Sequence, residues 1–368
     1  MSAFEISGNG KELATALGRI APTLQSRSTL PILSCAALEI TNGEMTATAS
    51  DLEARHTINL PVAIKTGNDG AGCCAAMSLL SGVLARFGED EVTITMKGDS
   101  LKLVSGSKTA TIQTLAIGDF PNHEGTFCEP VETDGKKLAA AIRSVAFAQS
   151  KDPSRYIINS VFFDNGNIVA SNGSMLAHAK SETPFNAVIA STFIPAITAI
   201  LDRGENIRIS SSESEILIQT DKEIYSTKKM ECHYPKWDRV LPKYQNPARY
   251  TFNREDMRNV LAFANLYTEK TTQAIKIEYV NGELKIGSRA IDKGEFSGNV
   301  ALIEAPEKPL IGTLKSEYLA QTIAVGDSDT IYFETEPDDA TGHINSAVMF
   351  YQPNMEWRCC IMPMLAVQ

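Results

Sequence analysis

Three observations predict an α+β protein built from three tandem repeats. The chain has 368 residues, more than the roughly 250–300 that one hydrophobic core usually supports. An Asn-Gly pair between two apolar runs, the strongest short signal for a β-hairpin, occurs three times. These pairs are Asn42-Gly43, Asn165-Gly166 and Asn281-Gly282, so successive turns are 123 and 116 residues apart. We therefore predict three domains, at residues 1–128, 129–247 and 248–368.

A helix is predicted before each hairpin, because apolar residues recur there at helical spacing. In the first repeat this spacing puts Leu13, Leu17 and Ile20 on one face. In the other two repeats, Asp134 and Asn253 are suited to cap the helix N-terminus. The predicted segments are 8–27, 134–155 and 253–270.

A second helix is predicted later in each repeat. Each of these helices ends at a glycine, which suits the left-handed conformation at a helix C-terminus. An alternating strand follows each glycine. The predicted segments are 77–88, 194–204 and 314–326, and their glycines are Gly88, Gly204 and Gly326. Each repeat therefore reads strand, helix, hairpin, further strands, helix and hairpin.

The charge of the chain is divided unevenly between helices and the rest. The six predicted helical segments hold 14 Lys and Arg against 8 Asp and Glu, a net charge of +6, and the remainder carries −16. The overall charge of −10 alone argues against a nucleic-acid partner. The division instead favours basic helices that contact phosphates without reading bases. The alternative is that Lys and Arg are simply good helix formers, although Glu forms helices as well and is scarce here.

Composition indicates a folded cytoplasmic protein with no membrane partner. Apolar residues make up 43% of the chain and charged residues 21%. The N-terminus lacks the pattern of a signal peptide, and no apolar stretch reaches the ~18 residues of a membrane span. Seven cysteines without a C-x-x-C motif predict neither a disulfide framework nor a zinc site. We expect most of them to be buried, reduced thiols.

No catalytic motif is found, so we predict a protein that is not an enzyme and that holds no metal or cofactor. The chain has no phosphate-binding G-x-x-x-x-G-K-[ST] loop, and its five histidines show no metal-ligand spacing. Ser174 lacks the G-x-S-x-G setting of a hydrolase nucleophile. A hydrolase or ligand-binding α+β protein that uses Ser174 or the Cys359-Cys360 pair remains the alternative, and reactivity toward active-site probes would support it.

Several short motifs, in order along the whole chain, resemble one family. They are Thr29-Leu30-Pro31-Ile32-Leu33, Asp119-Phe120-Pro121-Asn122, Arg155-Tyr156-Ile157-Ile158-Asn159, Tyr234-Pro235-Lys236-Trp237-Asp238-Arg239-Val240-Leu241-Pro242 and Met362-Pro363-Met364-Leu365. Together with the threefold repeat, they resemble the bacterial sliding clamp, the β subunit of DNA polymerase III.

The resemblance implies a fold and a function. Three tandem repeats of the DNA-clamp fold would form each chain, and a head-to-tail homodimer would close a ring. Helices would line the ring and antiparallel sheets would lie outside. Duplex DNA would pass through the ring, held by topology and not by sequence. The ring would act as a replication processivity factor, tethering DNA polymerase, the clamp loader and repair proteins through short linear peptides.

The resemblance also implies an apolar groove for these peptides between the second and third domains. The matching positions are Ile158, Ser171, Gly173, Ser174, Met175, Leu176, Pro235, Arg239, Val240, Tyr318, Ser346, Cys360, Met362, Pro363 and Met364. Met and Leu would form an adaptable floor, and a few polar groups would orient the peptide. Without the resemblance, these apolar residues would be read as core.

This sequence departs from the family at the groove. The family reads Thr-Asp-Gly-His-Arg-Leu-Ala where this chain has Ser171-Asn172-Gly173-Ser174-Met175-Leu176-Ala177, and Leu365 stands at a usual Arg. The groove is therefore expected to be more apolar and less cationic than is usual. A variant clamp, an extra or mobile-element copy with altered partners, is the alternative. Loss of binding to a consensus clamp-binding peptide would favour it.

For DNA contact, the resemblance matches Arg27, Arg155 and Tyr156. The charge argument adds basic residues of the predicted helices: Lys11, Arg19, Lys137, Arg143, Lys151, Arg203, Arg254 and Arg258. The basic pairs that begin the second helices in the family are replaced here by Met77-Ser78 and Ala196-Ile197. We therefore expect weaker or differently distributed DNA contacts.

Overall fold

Six α-helices occur in the part of the chain that the structure describes. The structure is a computed structural model that describes residues 3–24, 30–121, 127–183, 185–204, 206–306, 308–353 and 355–364. The helices are α1 Gly10–Ile20, α2 Met77–Phe87, α3 Gly135–Ala146, α4 Ile194–Arg203, α5 Arg254–Leu266 and α6 Ser316–Ile323. None of these helices is long and apolar enough to cross a membrane.

The strands follow the same order three times. Repeat 1 contains β1 Phe4–Asn9, β2 Cys35–Thr41, β3 Glu44–Ser50, β4 Ala54–Asn59, β5 Val62–Thr66, β6 Gly72–Ala76, β7 Glu91–Lys97, β8 Ser100–Ser105 and β9 Lys108–Ala116. Repeat 2 contains β10 Val131–Thr133, β11 Ser160–Asp164, β12 Asn167–Ser171, β13 Met175–Lys180, β14 Asn186–Ala190, β15 Ile207–Ser211, β16 Glu215–Gln219 and β17 Glu223–Lys228. Repeat 3 contains β18 Ala248–Asn253, β19 Ala274–Val280, β20 Glu283–Ala290, β21 Gly294–Glu304, β22 Ile311–Lys315, β23 Thr330–Thr335, β24 Val348–Tyr351 and β25 Trp357–Ile361.

This order confirms the predicted α+β fold class. Each repeat is a strand, a helix, four or five strands, a second helix and three strands, and the ladders between strands are antiparallel. The three Asn-Gly turns lie where they were predicted. Both residues of each turn have positive φ, with values of +53° and +78° at Asn42 and Gly43, as a tight hairpin turn requires.

The first helix begins later and ends earlier than the predicted segment 8–27. The Asn9 side chain caps α1 by accepting hydrogen bonds from the N–H groups of Lys11 and Glu12. Pro22 then begins a separate 3₁₀ turn, Ala21–Thr23. The cap and the proline, both local signals, set these bounds.

The predicted helix 134–155 is wrong over its second half. Helix α3 ends at Ala146, and residues 153–155 form a separate 3₁₀ turn. Pro153 has no N–H and holds the preceding Asp152 in an extended conformation, so the helix cannot continue through this point. Two predicted DNA-contacting residues, Lys151 and Arg155, therefore do not lie on a helix.

The glycine that ends the second helix has the expected φ in two of the three repeats. Gly88 and Gly326 have φ values of +64° and +71°, although the ψ of −133° takes Gly88 out of the left-handed helical region. The prediction is wrong for Gly204. Asn206 takes the positive φ there instead, at +52°, and Asn is the residue that tolerates this region best after Gly.

The described strands belong to two compact units, each with its own sheet. The first unit comprises residues 1–136 and 195–229. Its sheet has the order β10-β15-β16-β17-β4-β3-β2-β6-β9-β8-β7-β1-β5. Helices α1 and α2 pack on this sheet through buried residues that include Leu13, Leu17, Leu80 and Leu84. The last strand of repeat 2, β17, pairs with β4 of repeat 1.

The second unit comprises residues 137–194 and 230–368. Its sheet has the order β14-β11-β12-β13-β25-β24-β23-β18-β21-β20-β19-β22. Here the last strand of repeat 3, β25, pairs with β13 of repeat 2. Five of the seven cysteines are buried in the two units and all seven are free thiols, which confirms that most are small buried residues.

Candidate functional site

A groove of about 200 Å³ opens in the second unit where β13 begins. One wall is the turn between β12 and β13, a second is the segment after β25, and a third is the segment between β17 and β18. The lining residues are Arg155, Ile158, Ser171, Gly173, Ser174, Met175, Leu176, Tyr234, Pro235, Trp237, Val240, Cys360 and Met362.

Side-chain hydrogen bonds fix the turn that forms the first wall. The Ser171 hydroxyl donates to the Met175 carbonyl at 2.8 Å and accepts from the Gly173 N–H. The Asn172 carboxamide oxygen accepts from the N–H groups of Ser174 and Met175, both at 2.9 Å. The segment after β25 is attached to this turn, because the Met362 N–H donates to the Ser174 carbonyl. The groove wall is therefore held by short polar contacts.

The equivalent turn in repeat 1 has the same hydrogen bonds. Ser50 and Asp51 bond the backbone of Leu52, Glu53 and Ala54 as Ser171 and Asn172 do in repeat 2. The two turns differ at the position with positive φ. Leu52 occupies it in repeat 1, whereas repeat 2 has glycine there.

Arg155 lies against this glycine. Its guanidinium donates to the Asn172 carbonyl at 2.8 Å, and a Cβ on Gly173 would lie 2.5 Å from the Arg155 Nη2 atom. Two features therefore require glycine at position 173. Its φ is +89°, and the guanidinium fills the space that a Cβ would occupy. Arg155, which was predicted as a DNA contact, also lines the groove.

Replacing Gly173 by Ala is expected to displace Arg155 and to destabilise the fold by about 1–3 kcal/mol through backbone strain and the added contact. Thermal unfolding and a crystal structure of the variant would measure both effects. Gly43→Ala is the matched control, because Gly43 has a similar φ of +78° but open space around a Cβ. The prediction is contradicted if the two variants lose equal stability and Arg155 stays in place.

Two aromatic residues of the groove were missed as site residues. The Trp237 indole N–H donates to Asp164 Oδ2 at 2.9 Å, and its ring stacks on His178 at 4.8 Å. Tyr234 stacks on Phe162, also at 4.8 Å. Both are partly buried and pack against a cluster of buried apolar side chains that includes Phe162 and Leu176. The motif Tyr234-Pro235-Lys236-Trp237 contained the signal, since two aromatic rings flank a predicted groove residue.

His178 supports Trp237 as a neutral ring. Burial, together with the nearby charges of Arg358 and Lys180, lowers the pKa of His178 to about 4. The neutral imidazole can donate from Nε2 to Asn167 Oδ1 at 2.9 Å and accept at Nδ1 from Arg358 Nε at 3.3 Å. The stack with Trp237 therefore stays uncharged across the physiological pH range.

Ten of the fifteen predicted groove residues line the groove. They are Ile158, Ser171, Gly173, Ser174, Met175, Leu176, Pro235, Val240, Cys360 and Met362. The other five do not line it: Arg239, Tyr318, Ser346, Pro363 and Met364. Of these, Arg239 is exposed, Tyr318 lies on α6 beneath the Lys315 ammonium, and Ser346 has a buried hydroxyl without a hydrogen-bond partner among the described residues.

The groove thiol is not poised for nucleophilic chemistry. Burial raises the pKa of Cys360 to about 11, and burial likewise raises the pKa of its neighbour Cys359. Both thiols are therefore protonated at neutral pH, whereas the thiolate is the reactive form. Among the described residues, no group of three His, Cys, Asp or Glu side chains is arranged to hold a metal ion.

The residues predicted to contact DNA are mostly exposed and engaged with neighbours. Lys137 and Arg143 are exposed on α3, and Tyr156 has 58% of its surface exposed. Ion pairs join Lys151 to Glu317, Arg258 to Glu255 and Lys11 to Glu89. Arg254 donates to the Gly326 carbonyl. Arg27 lies outside the described residues.

Arg19 and Arg203, two further DNA candidates, share one carboxylate in the first unit. Glu223 at the start of β17 bonds Arg19 of α1 at 2.9 Å and Arg203 of α4 at 3.0 Å, and its Oε2 lies 3.2 Å from His56 Nε2 of β4. Burial alone would raise the pKa of Glu223. Hydrogen bonds from His56 and Arg203 and the Arg203 charge outweigh burial and lower this pKa to about 2.

The helices still carry a net positive charge when their observed bounds replace the predicted ones. The six helices hold nine Lys and Arg against five Asp and Glu, a net charge of +4. The value is lower than predicted because α1 ends at Ile20, before Arg27 in the sequence, and α6 begins after Lys315. The shorter α3 loses two basic and two acidic residues, so its net charge is unchanged.

Comparisons with known proteins agree with these features. A family model described as DNA polymerase III beta subunit, N-terminal domain, matches residues 4–124. The beta sliding clamp of Salmonella typhimurium is 25% identical over 296 residues, covering 75% of this chain and 78% of that protein. The beta sliding clamp of Escherichia coli K12 is 23% identical over 292 residues, with the same coverage.

Solved sliding-clamp structures share the fold over almost the whole chain. A Pseudomonas aeruginosa DnaN sliding clamp bound to griselimycin has a TM-score of 0.89 at 20% identity, covering 99% of this chain and 100% of that one. The DNA polymerase III beta subunit of Thermotoga maritima has a TM-score of 0.84 at 18% identity, with the same coverage. The family model over the first third of the chain, the curated relatives over three quarters of it and the shared fold over almost all of it agree that the bacterial DNA polymerase III beta sliding clamp is what this chain resembles.

Proposed function

We propose that this chain is a non-catalytic processivity factor, of which two copies close into a ring around duplex DNA in the cytoplasm. The observation that carries the proposal is how the repeats join. The last strand of one repeat pairs with the strand that follows the Asn-Gly hairpin of the preceding repeat. This occurs between β17 and β4 and again between β25 and β13.

The third junction of this kind lacks a partner within the described chain. Strand β9 is the last strand of repeat 1, and its residues 108–113 pair only with β8. Strand β21 follows the hairpin of repeat 3, and its residues 294–301 pair only with β20. Exposed strand edges are a liability that proteins cover. A second copy would cover both, since β9 of each chain would pair with β21 of the other and close a head-to-tail ring.

We further propose that each repeat is one domain, at residues 1–128, 129–247 and 248–368, so that the ring has six. The net charge of +4 on the six helices supports a DNA-facing role for them. The DNA candidates remain those predicted from the sequence, and one of them, Arg155, also lines the groove of the second unit. Weak contacts to phosphates would allow sliding, because they carry no base information.

The groove in the second unit is proposed to tether the polymerase, the clamp loader and repair proteins. Its apolar lining with a few fixed polar groups is typical of sites that bind short peptides. Met175 and Met362 supply flexible side chains that can adapt to more than one sequence. Ser174 and Met175 are uncharged, whereas the family has His and Arg at these positions. This difference favours the alternative function, that of a variant clamp with altered partners.

Retention on closed DNA tests the ring. The protein is loaded by a clamp loader onto nicked circular duplex and separated from free protein at high salt, where phosphate contacts are weakened. We expect it to stay on the circle and to leave within minutes after a restriction enzyme linearises the DNA. Equal rates of loss from circular and linear DNA would rule out topological binding.

A further inference from the structure

Two arginines on different helices of the first unit share one buried carboxylate. Arg19 Nη1 of α1 lies 2.9 Å from Glu223 Oε1, and Arg203 Nη2 of α4 lies 3.0 Å from Glu223 Oε2. Among the residues that the structure describes, neither arginine pairs with another carboxylate. The two guanidiniums and the carboxylate therefore carry a net charge of +1, where two unpaired arginines would carry +2.

The arginines are open to solvent, whereas the carboxylate is not. The exposed fraction of the side chain is 41% for Arg19 and 37% for Arg203, but only 6% for Glu223. Both arginines line a cavity of about 390 Å³, together with Lys222 and Thr220. Each guanidinium has five N–H donors and gives one of them to Glu223. A phosphate can therefore reach the remaining donors, while the carboxylate behind them reduces the positive charge that it meets.

The carboxylate keeps its charge at neutral pH. Burial alone would raise the pKa of Glu223, but the contacts with His56 and Arg203 outweigh burial and lower this pKa to about 2. The negative charge is therefore present whenever phosphates approach under physiological conditions. At a partly exposed site, a carboxylate several ångströms from a phosphate repels it enough to change affinity by about fivefold.

We infer that Glu223 is an affinity-determining residue for duplex DNA, because it offsets part of the positive charge that Arg19 and Arg203 present to phosphates. The inference rests on the proposed DNA-facing role of the helices and deepens it. Arg19 belongs to repeat 1 and Arg203 to repeat 2, so one carboxylate moderates two helices. Weaker contacts would ease movement of the ring along DNA, since each contact has to be released at each step.

Fluorescence anisotropy of a labelled linear duplex, measured with the full-length protein over a series of salt concentrations, tests the inference. Glu223→Gln should raise the affinity about fivefold. The slope of log affinity against log salt should steepen by about 1, as for one further phosphate contact. Adding Arg19→Gln and Arg203→Gln to this variant should return the affinity to the wild-type value or below it.

A second neutral variant protects the test against misfolding. Loss of a buried charge partner destabilises a protein, so thermal unfolding first establishes that Glu223→Gln is folded at the assay temperature. Glu223→Met removes the same charge with an apolar side chain of similar length. It should give the same gain in duplex affinity as Glu223→Gln.

Glu53→Gln is the matched control for net charge. Glu53 also belongs to the first unit, and it pairs with Lys228 of strand β17 at 3.1 Å. Its replacement changes the net charge by the same amount, but it frees no helix arginine. The affinity and the salt slope should therefore stay close to the wild-type values.

Four outcomes would overturn the inference. Equal gains in Glu223→Gln and Glu53→Gln would show that net charge alone sets the affinity. A lower affinity in Glu223→Gln would show that the carboxylate positions the arginines on phosphates. An unchanged affinity in folded Glu223→Gln would show that neither arginine reaches DNA, and would leave the other DNA candidates standing. Absence of duplex binding by the wild-type protein would overturn both the inference and the DNA-facing role of the helices.

Discussion

Replacing Glu223 by Gln is expected to lower the free energy of unfolding of the first unit by about 3 kcal/mol at neutral pH. This value follows from the fall of the Glu223 pKa from its ordinary 4.5 to about 2, at roughly 1.4 kcal/mol per pKa unit. The side chain is only 6% exposed, so solvent screens these contacts weakly. Chemical denaturation of the two proteins measures the difference.

The pH dependence of this difference has a defined sign. The pKa of Glu223 is lower in the folded chain, so its stabilising contribution is complete above about pH 4.5. The contribution is lost as the pH falls from 4.5 toward 2, because the carboxylate becomes protonated. The gap between wild type and Glu223→Gln should therefore shrink over this interval. A gap that is constant from pH 7 to pH 2 would contradict the prediction.

An exposed ion pair in the same unit gives the control for Glu223. Glu53 pairs with Lys228 at 3.1 Å, but both side chains are largely exposed. Such pairs contribute about 0–1 kcal/mol. Glu53→Gln should therefore have little effect, and equal losses in the two variants would show that burial of the Glu223 cluster does not matter.

Replacing Phe263 by Asp is expected to convert the proposed dimer into a monomer, weakening association by about 100-fold or more, as for an aromatic hot spot. Phe263 on α5 is 59% exposed and stacks on Phe296 of β21, the strand whose free edge is proposed to pair with a second chain. Tyr267 stacks on the same ring. A buried carboxylate at this aromatic surface would lack a partner. Light scattering at micromolar concentration measures the mass.

Leu52→Asp is the control for charge and lost apolar surface. Leu52 is 47% exposed at a turn with a φ of +75°, which Asp tolerates, and it lies on neither proposed edge strand. This variant should remain dimeric and stay on circular DNA, whereas Phe263→Asp should do neither. A monomeric wild-type protein at micromolar concentration would argue strongly against the ring.

Local signals in the sequence were sufficient to predict the repeat and most of its helices, turns and strands. Asn-Gly turns, the Asn253 cap and alternating strands depend on neighbouring residues, and each lies where it was predicted. The error in the helix after Asp134 arose because apolar spacing continued past Ala146, although Pro153 indicated a break. Proline should have outweighed periodicity at that point.

Contacts between distant residues could not be predicted in the same way. Glu223 meets Arg19 across 204 residues, and no periodicity indicates which strand of one repeat pairs with the next. The motif that contains Arg155 did not predict that this side chain lines the groove, because a motif gives the identity of a residue and not the direction of its side chain. Its contact with Gly173 depends on how the turn before β13 folds back. The resemblance identified most of the groove, but not Trp237, whose position is fixed by Asp164 and His178.

The position of Trp237 provides an intrinsic optical reporter for the groove. The chain has two tryptophans, and the other, Trp357 in β25, is 3% exposed with its indole N–H bonded to the Ser144 carbonyl. Only Trp237 lies where a bound molecule would displace water from the indole. Ligand binding should therefore shift the fluorescence emission of Trp237 and not that of Trp357, so occupancy of the groove can be followed without a dye. The Trp237→Phe variant supplies the emission spectrum of Trp357 alone.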